Sequence, residues 1–247
     1  MNSILITGCN RGLGLGLVKA LVNLPKPPKH VFATCRNKEQ AKELQELAAQ
    51  HPNIHIIEID LLNFNEYDRV VKEVDTITQG QGLNVLFNNA AISSKQQSLQ
   101  ATKPDEMLNT LNVNVVVPLM FTKACLPLLE KASKLNDNLE MGLERAAIIN
   151  MSSLLGSIER NTWGSYYSYG TSKSALNSIT KALSVDLKEQ KILCVSMHPG
   201  WVRTDMGGEM APLEVGPTTA EIVNTILGFK ASHHGGFYQY DGEKLPW

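Results

Sequence analysis

The segment Ser3-Ile4-Leu5-Ile6-Thr7-Gly8-Cys9-Asn10-Arg11-Gly12-Leu13-Gly14-Leu15-Gly16-Leu17-Val18 decides the fold. A short apolar, β-prone run ends in a threonine, glycines follow at 8, 12 and 14, and an apolar stretch of helical character begins at once. Glycine at these points permits a tight turn and lets the backbone come close to a ligand. The N–H groups opening the helix, with the positive end of its dipole, then face the turn, which suits a phosphate or pyrophosphate. The spacing T-G-x-x-x-G-x-G departs from the commoner G-x-G-x-x-G dinucleotide fingerprint. Taken alone, it is also compatible with an ordinary glycine-rich strand-to-helix turn.

Outward from this turn the alternation repeats. Residues 3–7, 30–34, 54–59, 85–88, 146–151 and 193–198 read as strands, and 12–24, 38–50, 65–78, 104–132 and 169–190 as helices. Several strands are apolar at consecutive positions (ILIT, VLFN, AIINM, LCVSM), as strands covered by helices on both faces must be. The reading predicts an α/β fold: a single-domain, Rossmann-type, doubly wound parallel sheet of about seven strands, spanning 1–247. The Pro25-Lys26-Pro27-Pro28 cluster ends the first helix, and 204–218, rich in Gly, Met and Pro, reads as a substrate loop beyond the late strands.

Composition narrows the partner. Lys plus Arg (23) nearly balances Asp plus Glu (24) without a long run of like charge, so the basic footprint of a nucleic-acid binder is missing. The first residues lack the basic-then-apolar order of a signal peptide, and no stretch of about 18 consecutive apolar residues predicts a membrane span. Cys9, Cys35, Cys125 and Cys194 are widely spaced with no C-x-x-C pair, which predicts a reducing, cytoplasmic setting. Asn150-Met151-Ser152 matches a glycosylation pattern, but inside an apolar run it reads as chance. No histidine has metal-ligand spacing, and no metal is expected. A small-molecule partner follows.

Two features point to the chemistry. After the second strand the chain reads Thr34-Cys35-Arg36-Asn37-Lys38, two bases and no acid. A carboxylate there would bond the ribose 2′-hydroxyl of NAD, whereas Arg36, with Arg11 from the glycine loop, fits the 2′-phosphate of NADP(H). Tyr169 and Lys173 lie four apart on one helical face, where an ammonium is expected to lower the phenol pKa and tune it as a proton donor for hydride transfer. Such a pair is common on helices with no function. What singles this one out is its place downstream of Ser152-Ser153 and the glycine loop, and Tyr166 and Tyr167 have no lysine four residues on.

These segments together resemble the short-chain dehydrogenase/reductase family, which uses T-G-x-x-x-G-x-G as its usual loop. Asn88-Asn89-Ala90-Ala91 is similar to the family's N-N-A-G, with Ala in place of the last Gly; Asn112-Val113-Asn114-Val115 carries its active-site Asn. Ser152-Ser153-Leu154-Leu155-Gly156, Tyr169-Gly170-Thr171-Ser172-Lys173 and Pro199-Gly200-Trp201-Val202-Arg203-Thr204 match the remaining motifs in order. Within the family, Gly8-Cys9-Asn10-Arg11-Gly12-Leu13-Gly14 and the ending Tyr240-Asp241-Gly242-Glu243-Lys244-Leu245-Pro246-Trp247 resemble the sniffer-type carbonyl reductases.

The resemblance implies catalytic roles for Asn114, Ser153, Tyr169 and Lys173: Ser153 orients the substrate carbonyl, Tyr169 donates the proton, Lys173 also bonds the nicotinamide ribose, and Asn114 holds a relay water. It implies NADP(H) contacts from Gly8, Asn10, Arg11, Gly12, Leu13 and Gly14, and from Arg36, Asn89 and Ala90. Asp60 and Leu61 would hold the adenine, though Asp60 also reads as a turn or cap residue. Pro199, Gly200, Val202 and Thr204 would lie along the nicotinamide, and Tyr169 and Lys173 touch the cofactor as well. Trp163, Tyr166, Trp201, Met206 and Met210 are candidate substrate lining, or simply core packing. With no long insertion between Ser153 and Tyr169, helices 104–132 and 169–190 are expected to pair in a homodimer, as they often do in the family. The expected activity is reduction of an aldehyde, ketone, dicarbonyl or quinone. The alternatives are an oxidative alcohol or hydroxysteroid dehydrogenase and a catalytically silent NADP(H)-binding regulator.

Overall fold

A computed structural model describes residues 1–93 and 98–247. Among them, seven strands form one parallel sheet: β1 (Ser3–Ile6), β2 (His30–Cys35), β3 (Ile54–Glu58), β4 (Val85–Asn88), β5 (Ala147–Met151), β6 (Leu193–His198) and β7 (Gly236–Gln239), in the order β3-β2-β1-β4-β5-β6-β7. The helices are α1 (Gly12–Val22), α2 (Lys42–Gln50), α3 (Tyr67–Ile77), α4 (Pro104–Leu111), α5 (Val117–Leu135), α6 (Tyr167–Asp186) and α7 (Val215–Leu227).

The consecutive apolar residues serve two cores, as the doubly wound reading requires. Ile4, Ile6, Phe87 and Ile149 pack with Leu17 and Leu21 of α1, Leu44 of α2 and Ile222 of α7. Their neighbours Leu5, Leu86 and Ile148 turn to the other side, against Val70 and Val74 of α3 and Phe121 and Leu129 of α5. Alternate side chains of one strand point to opposite faces, so both faces stay dry only if both alternations are apolar.

The structure revises several boundaries. α2 starts at Lys42 because Asn37 accepts from the Gln40 N–H and holds the preceding residues in a turn. The long helix expected over 104–132 is split into α4 and α5 by a wide π turn at Asn112–Val116. α7 takes the last residues of the expected 204–218 loop; Pro217 near its N-terminus, where a missing N–H costs no helix bond, masked it in the sequence. Strand β7 is four residues long and carried no legible period.

Residues Pro104–Leu135 have the length and apolar composition to cross a bilayer. Here they are a core element: Phe121, Cys125, Leu128 and Leu129 are buried against the sheet and α3. The sheet order reverses between β1 and β4, and in such sheets ligands bind beyond the carboxyl ends of the strands at that crevice.

Candidate active site

The glycine turn is built to exclude side chains. Gly8 and Gly12 have φ of +73° and +56°, a region costly for other residues. A β-carbon on Gly14 would stand 2.1 Å from the Gly8 carbonyl oxygen, so α1 can pack under the turn only without one. Arg11 precedes α1 in extended backbone; the helix has no side-chain cap and no acid in its first turn. Its opening N–H groups are thereby left for an external anion.

Neighbouring strands brace this turn. Thr34 of β2 accepts from the Gly8 N–H at 3.1 Å, and its carbonyl accepts from the Cys9 N–H at 2.7 Å. The Thr7 hydroxyl accepts from the N–H groups of Asn89 (3.0 Å) and Ala90 (2.9 Å), tying the tip of β1 to the segment after β4. The Asn89 amide donates back to the Thr7 carbonyl at 2.8 Å. Thr7 and Thr34 received no role in the sequence reading; the only trace was that Thr7 opens the glycine motif.

Arg11 and Arg36 are both exposed beside the turn, as is Asn10, while Leu13 is partly buried. Arg11 forms an ion pair with Asp205, joining the glycine turn to the segment after β6. No acid lies among residues 36–38 directly after β2, but β3 places one there: Glu58 is opposite Cys35 in the parallel register and accepts from the Lys38 N–H at 2.6 Å. Asp60 does hold a turn, accepting from the Leu62 N–H at 3.0 Å, and the Leu61 carbonyl accepts from the Tyr67 hydroxyl at 2.6 Å.

Ser153, Tyr169 and Lys173 converge from β5 and α6. The Ser153 side chain favours the ionised form of the Tyr169 phenol, and the Lys173 Nζ lies 5.5 Å from the Tyr169 ring centroid. Lys173 is only 2% exposed and donates to the Met151 carbonyl at 2.7 Å. Burial pushes its pKa down to about 7. Tyr169 differs from expectation. The residue is only partly buried but its phenol is enclosed, and loss of water pushes its pKa up to about 12, with the Ser153 side chain opposing. The ammonium was expected to lower it; desolvation outweighs any such attraction because Lys173 is itself buried and loses its charge readily.

Asn114, wholly buried in the π turn, has a fully engaged amide: Nδ2 donates to the Ile92 carbonyl (2.8 Å) and the Ser172 hydroxyl (3.0 Å), and Oδ1 accepts from the Ile92 N–H (2.9 Å). It ties α6 to the segment after β4. Such wide turns recur at functional sites.

The segment after β6 closes the far side. Gly200 has φ +80°, and a β-carbon there would lie 2.4 Å from Leu213; Val202 is buried and bridges Leu213, and Thr204 stands over Gly12. Pro199 is partly buried beside them. The proposed substrate lining divides. Trp163 and Tyr166 border a cavity of about 100 Å³ with Leu155, Tyr167 and Thr171, whereas Trp201, Met206 and Met210 are exposed outside it. Gly164, Ser165 and Tyr166 are all left-handed, a costly conformation for the latter two immediately ahead of α6. His198 is half-buried, and loss of water pushes its pKa down to about 4; among the described residues no metal-binding cluster occurs.

A glycine turn at the switch point of a doubly wound sheet, with Ser153, Tyr169 and Lys173 grouped after β5 of the same sheet, defines an oxidoreductase of the short-chain type. The chain belongs to the short chain dehydrogenase family, whose model matches residues 2–214. It is 62% identical to the carbonyl reductase Sniffer of D. melanogaster, with full coverage of both chains and a TM-score of 0.99. The NADPH-bound carbonyl reductase from chicken fatty liver is 35% identical, with a TM-score of 0.94 over 100% of this chain and 99% of that one. An uncharacterised oxidoreductase of Schizosaccharomyces pombe is 31% identical over 98% of this chain and 96% of its own.

Proposed function

We propose that the protein is an NADPH-dependent carbonyl reductase, reducing an aldehyde, ketone, dicarbonyl or quinone with Tyr169 as general acid. The observation that carries the reading is the convergence of Ser153, Tyr169 and Lys173 between the end of β5 and α6. The kinship with carbonyl reductases, one of them NADPH-bound, supports it.

The cradle fits a dinucleotide. The tight packing at Gly14 holds the turn close on α1, whose uncapped start offers N–H donors for the pyrophosphate. Arg11 and Arg36 are assigned to the 2′-phosphate, with Glu58 held back by the Lys38 N–H. Asn10, Gly12 and Leu13 border the phosphates, Asp60 and Leu61 the adenine, Asn89 and Ala90 the ribose side, and Pro199, Gly200, Val202 and Thr204 the nicotinamide. When bound, the dihydronicotinamide supplies a hydride to the substrate carbonyl carbon.

The chain's own residues handle the charge that then develops on oxygen. A phenol with a raised pKa stays protonated and ready to donate, so Tyr169 gives its proton to that oxygen while the Ser153 hydroxyl orients it by hydrogen bonding. Lys173, with a pKa about 7, can exchange protons at neutral pH and restore the one lost by Tyr169. Asn114, tied by its amide to Ile92 and Ser172, is assigned the relay water by the family resemblance.

We further place the protein in the cytoplasm, where its four free, buried cysteines stay reduced, and read it as a homodimer through α5 and α6. The deciding experiment follows NADPH and NADH oxidation against aldehydes, ketones, dicarbonyls and quinones. Turnover with NADPH on at least one class supports the reading. NADPH binding without turnover on any class overturns it in favour of a silent NADP(H)-binding protein.

A further inference from the structure

The turn carrying Ser153 is held from two sides, and only one belongs to the catalytic helix. Ser153 accepts from the Leu155 N–H at 3.2 Å and its carbonyl from the Gly156 N–H at 2.8 Å, forming a tight turn. On the inner side Gly156 lies on Lys173, where a β-carbon would come within 2.8 Å of the Lys173 Cβ. On the outer side stands Trp247. Its main-chain oxygen accepts from the Glu159 N–H at 3.1 Å and from the Ser157 hydroxyl at 3.2 Å, and Ser157 in turn accepts from the Arg160 N–H at 3.1 Å. Ser157 is 1% exposed, so the inner ends of these bonds are buried while Glu159, Arg160 and Trp247 lie at the surface.

Trp247 is itself fixed. Its ring stacks on Phe237 of β7, centroids 5.6 Å apart and planes 13° from parallel. The residues before it run back along β7 through Gln239 N–H to Glu243 carbonyl and Leu245 N–H to Phe237 carbonyl, both 2.8 Å, covering the edge strand. A rigid path therefore leads from the sheet edge through Trp247 and Ser157 to Ser153. The segment beyond Arg160 continues into Trp163 and Tyr166, which border the cavity beside α6.

We propose that Trp247 is a positioning residue for carbonyl reduction: by clamping Ser157 and Glu159 it fixes the turn bearing Ser153 and the substrate side of the site. This rests on the carbonyl-reductase reading. Displacing a reacting group by about 1 Å costs on the order of a hundredfold in rate, so a loosened turn affects turnover while the glycine cradle, braced separately by Thr7 and Thr34, keeps its cofactor.

The test compares wild type, Trp247→Ala and Trp247→Phe by amide hydrogen exchange, NADPH titration and carbonyl-reduction kinetics. In Trp247→Ala, the Glu159 and Arg160 amides should exchange about tenfold faster or more, kcat/KM should fall by about tenfold or more, and NADPH affinity should stay within about twofold. Trp247→Phe keeps the stacking and should restore all three to near wild type. If Trp247→Ala does not fold, Ser157→Ala, which removes only the bridging hydroxyl, should act in the same directions. Unchanged exchange overturns the clamp; faster exchange with unchanged kinetics overturns its catalytic role; parallel loss of NADPH affinity makes the residue merely structural. A wild type inactive on every carbonyl overturns the underlying function, and the exchange data still decide the clamp.

Discussion

Lys173 donates its ammonium to the Met151 main-chain carbonyl across 2.7 Å, at the end of the strand that also delivers Ser153. A side chain four residues from Tyr169 on α6 is thus pinned to β5, alongside the bonds that Thr180 makes to Asn150 and Ser196. The amine is buried away from water, and that loss of solvation, which the hydrogen bond to Met151 does not offset, drops its pKa to about 7.

A pH dependence of stability follows for the cofactor-free protein. Between about 7 and the ordinary lysine value of 10.5, the unfolded chain binds a proton at Lys173 that the folded one does not, so the Lys173 contribution to stability rises with pH. Below that window both states are charged and the burial penalty is fully felt. Denaturant unfolding of wild type and Lys173→Met from pH 7 to 9.5 should show the balance moving toward wild type as pH rises; a constant difference contradicts the burial argument. Tyr169, raised from 10.0 to about 12, acts in the opposite sense only above pH 10.

Tyr169→Phe should fold and bind NADPH but lose at least about a hundredfold in kcat, the lower range for a positioned acid. The change removes one hydroxyl and little volume. Circular dichroism, NADPH titration and steady-state turnover check it, and near-normal turnover in a folded variant ends the general-acid assignment.

Arg36→Asp should weaken NADPH binding by about tenfold to a hundredfold, the loss of about 1.5 to 3 kcal/mol of charge-assisted bonding, and narrow or reverse the preference over NADH. Binding titrations with both cofactors provide the readout. Equal wild-type affinities for the two would refute the phosphate assignment.

Gly14→Ala forces a β-carbon to within 2.1 Å of the Gly8 oxygen and should lower stability by roughly 1 to 3 kcal/mol along with cofactor affinity. Gly216→Ala is the control, since nothing lies within 4 Å of its new carbon. It should be silent or slightly stabilising. Thermal melts of the two variants should therefore diverge.

The outward sides of α5 and α6 should form a two-fold interface. Light scattering at micromolar concentration should report twice the 27.2 kDa chain mass. A monomer there removes the dimer from the functional description.

Much was legible along the chain because it is local. Ile4, Leu5 and Ile6 declare a strand covered on both faces; Gly8, Gly12 and Gly14 declare the turn; and the four-residue spacing of Tyr169 and Lys173 declares a shared helical face. Periods of two and of three to four residues are consequences of backbone geometry, so sequence by itself determines them. What depended on packing was hidden. The Thr7 hydroxyl meets Asn89 and Ala90 more than eighty positions away, β3 carries Glu58 to the Lys38 N–H from twenty positions on, and Trp247 returns to Ser157 across ninety. The directions of the Tyr169 and Lys173 pKa shifts were hidden for the same reason: they depend on how much water the folded chain removes from each group, and that is decided by everything packed around it rather than by its neighbours in sequence.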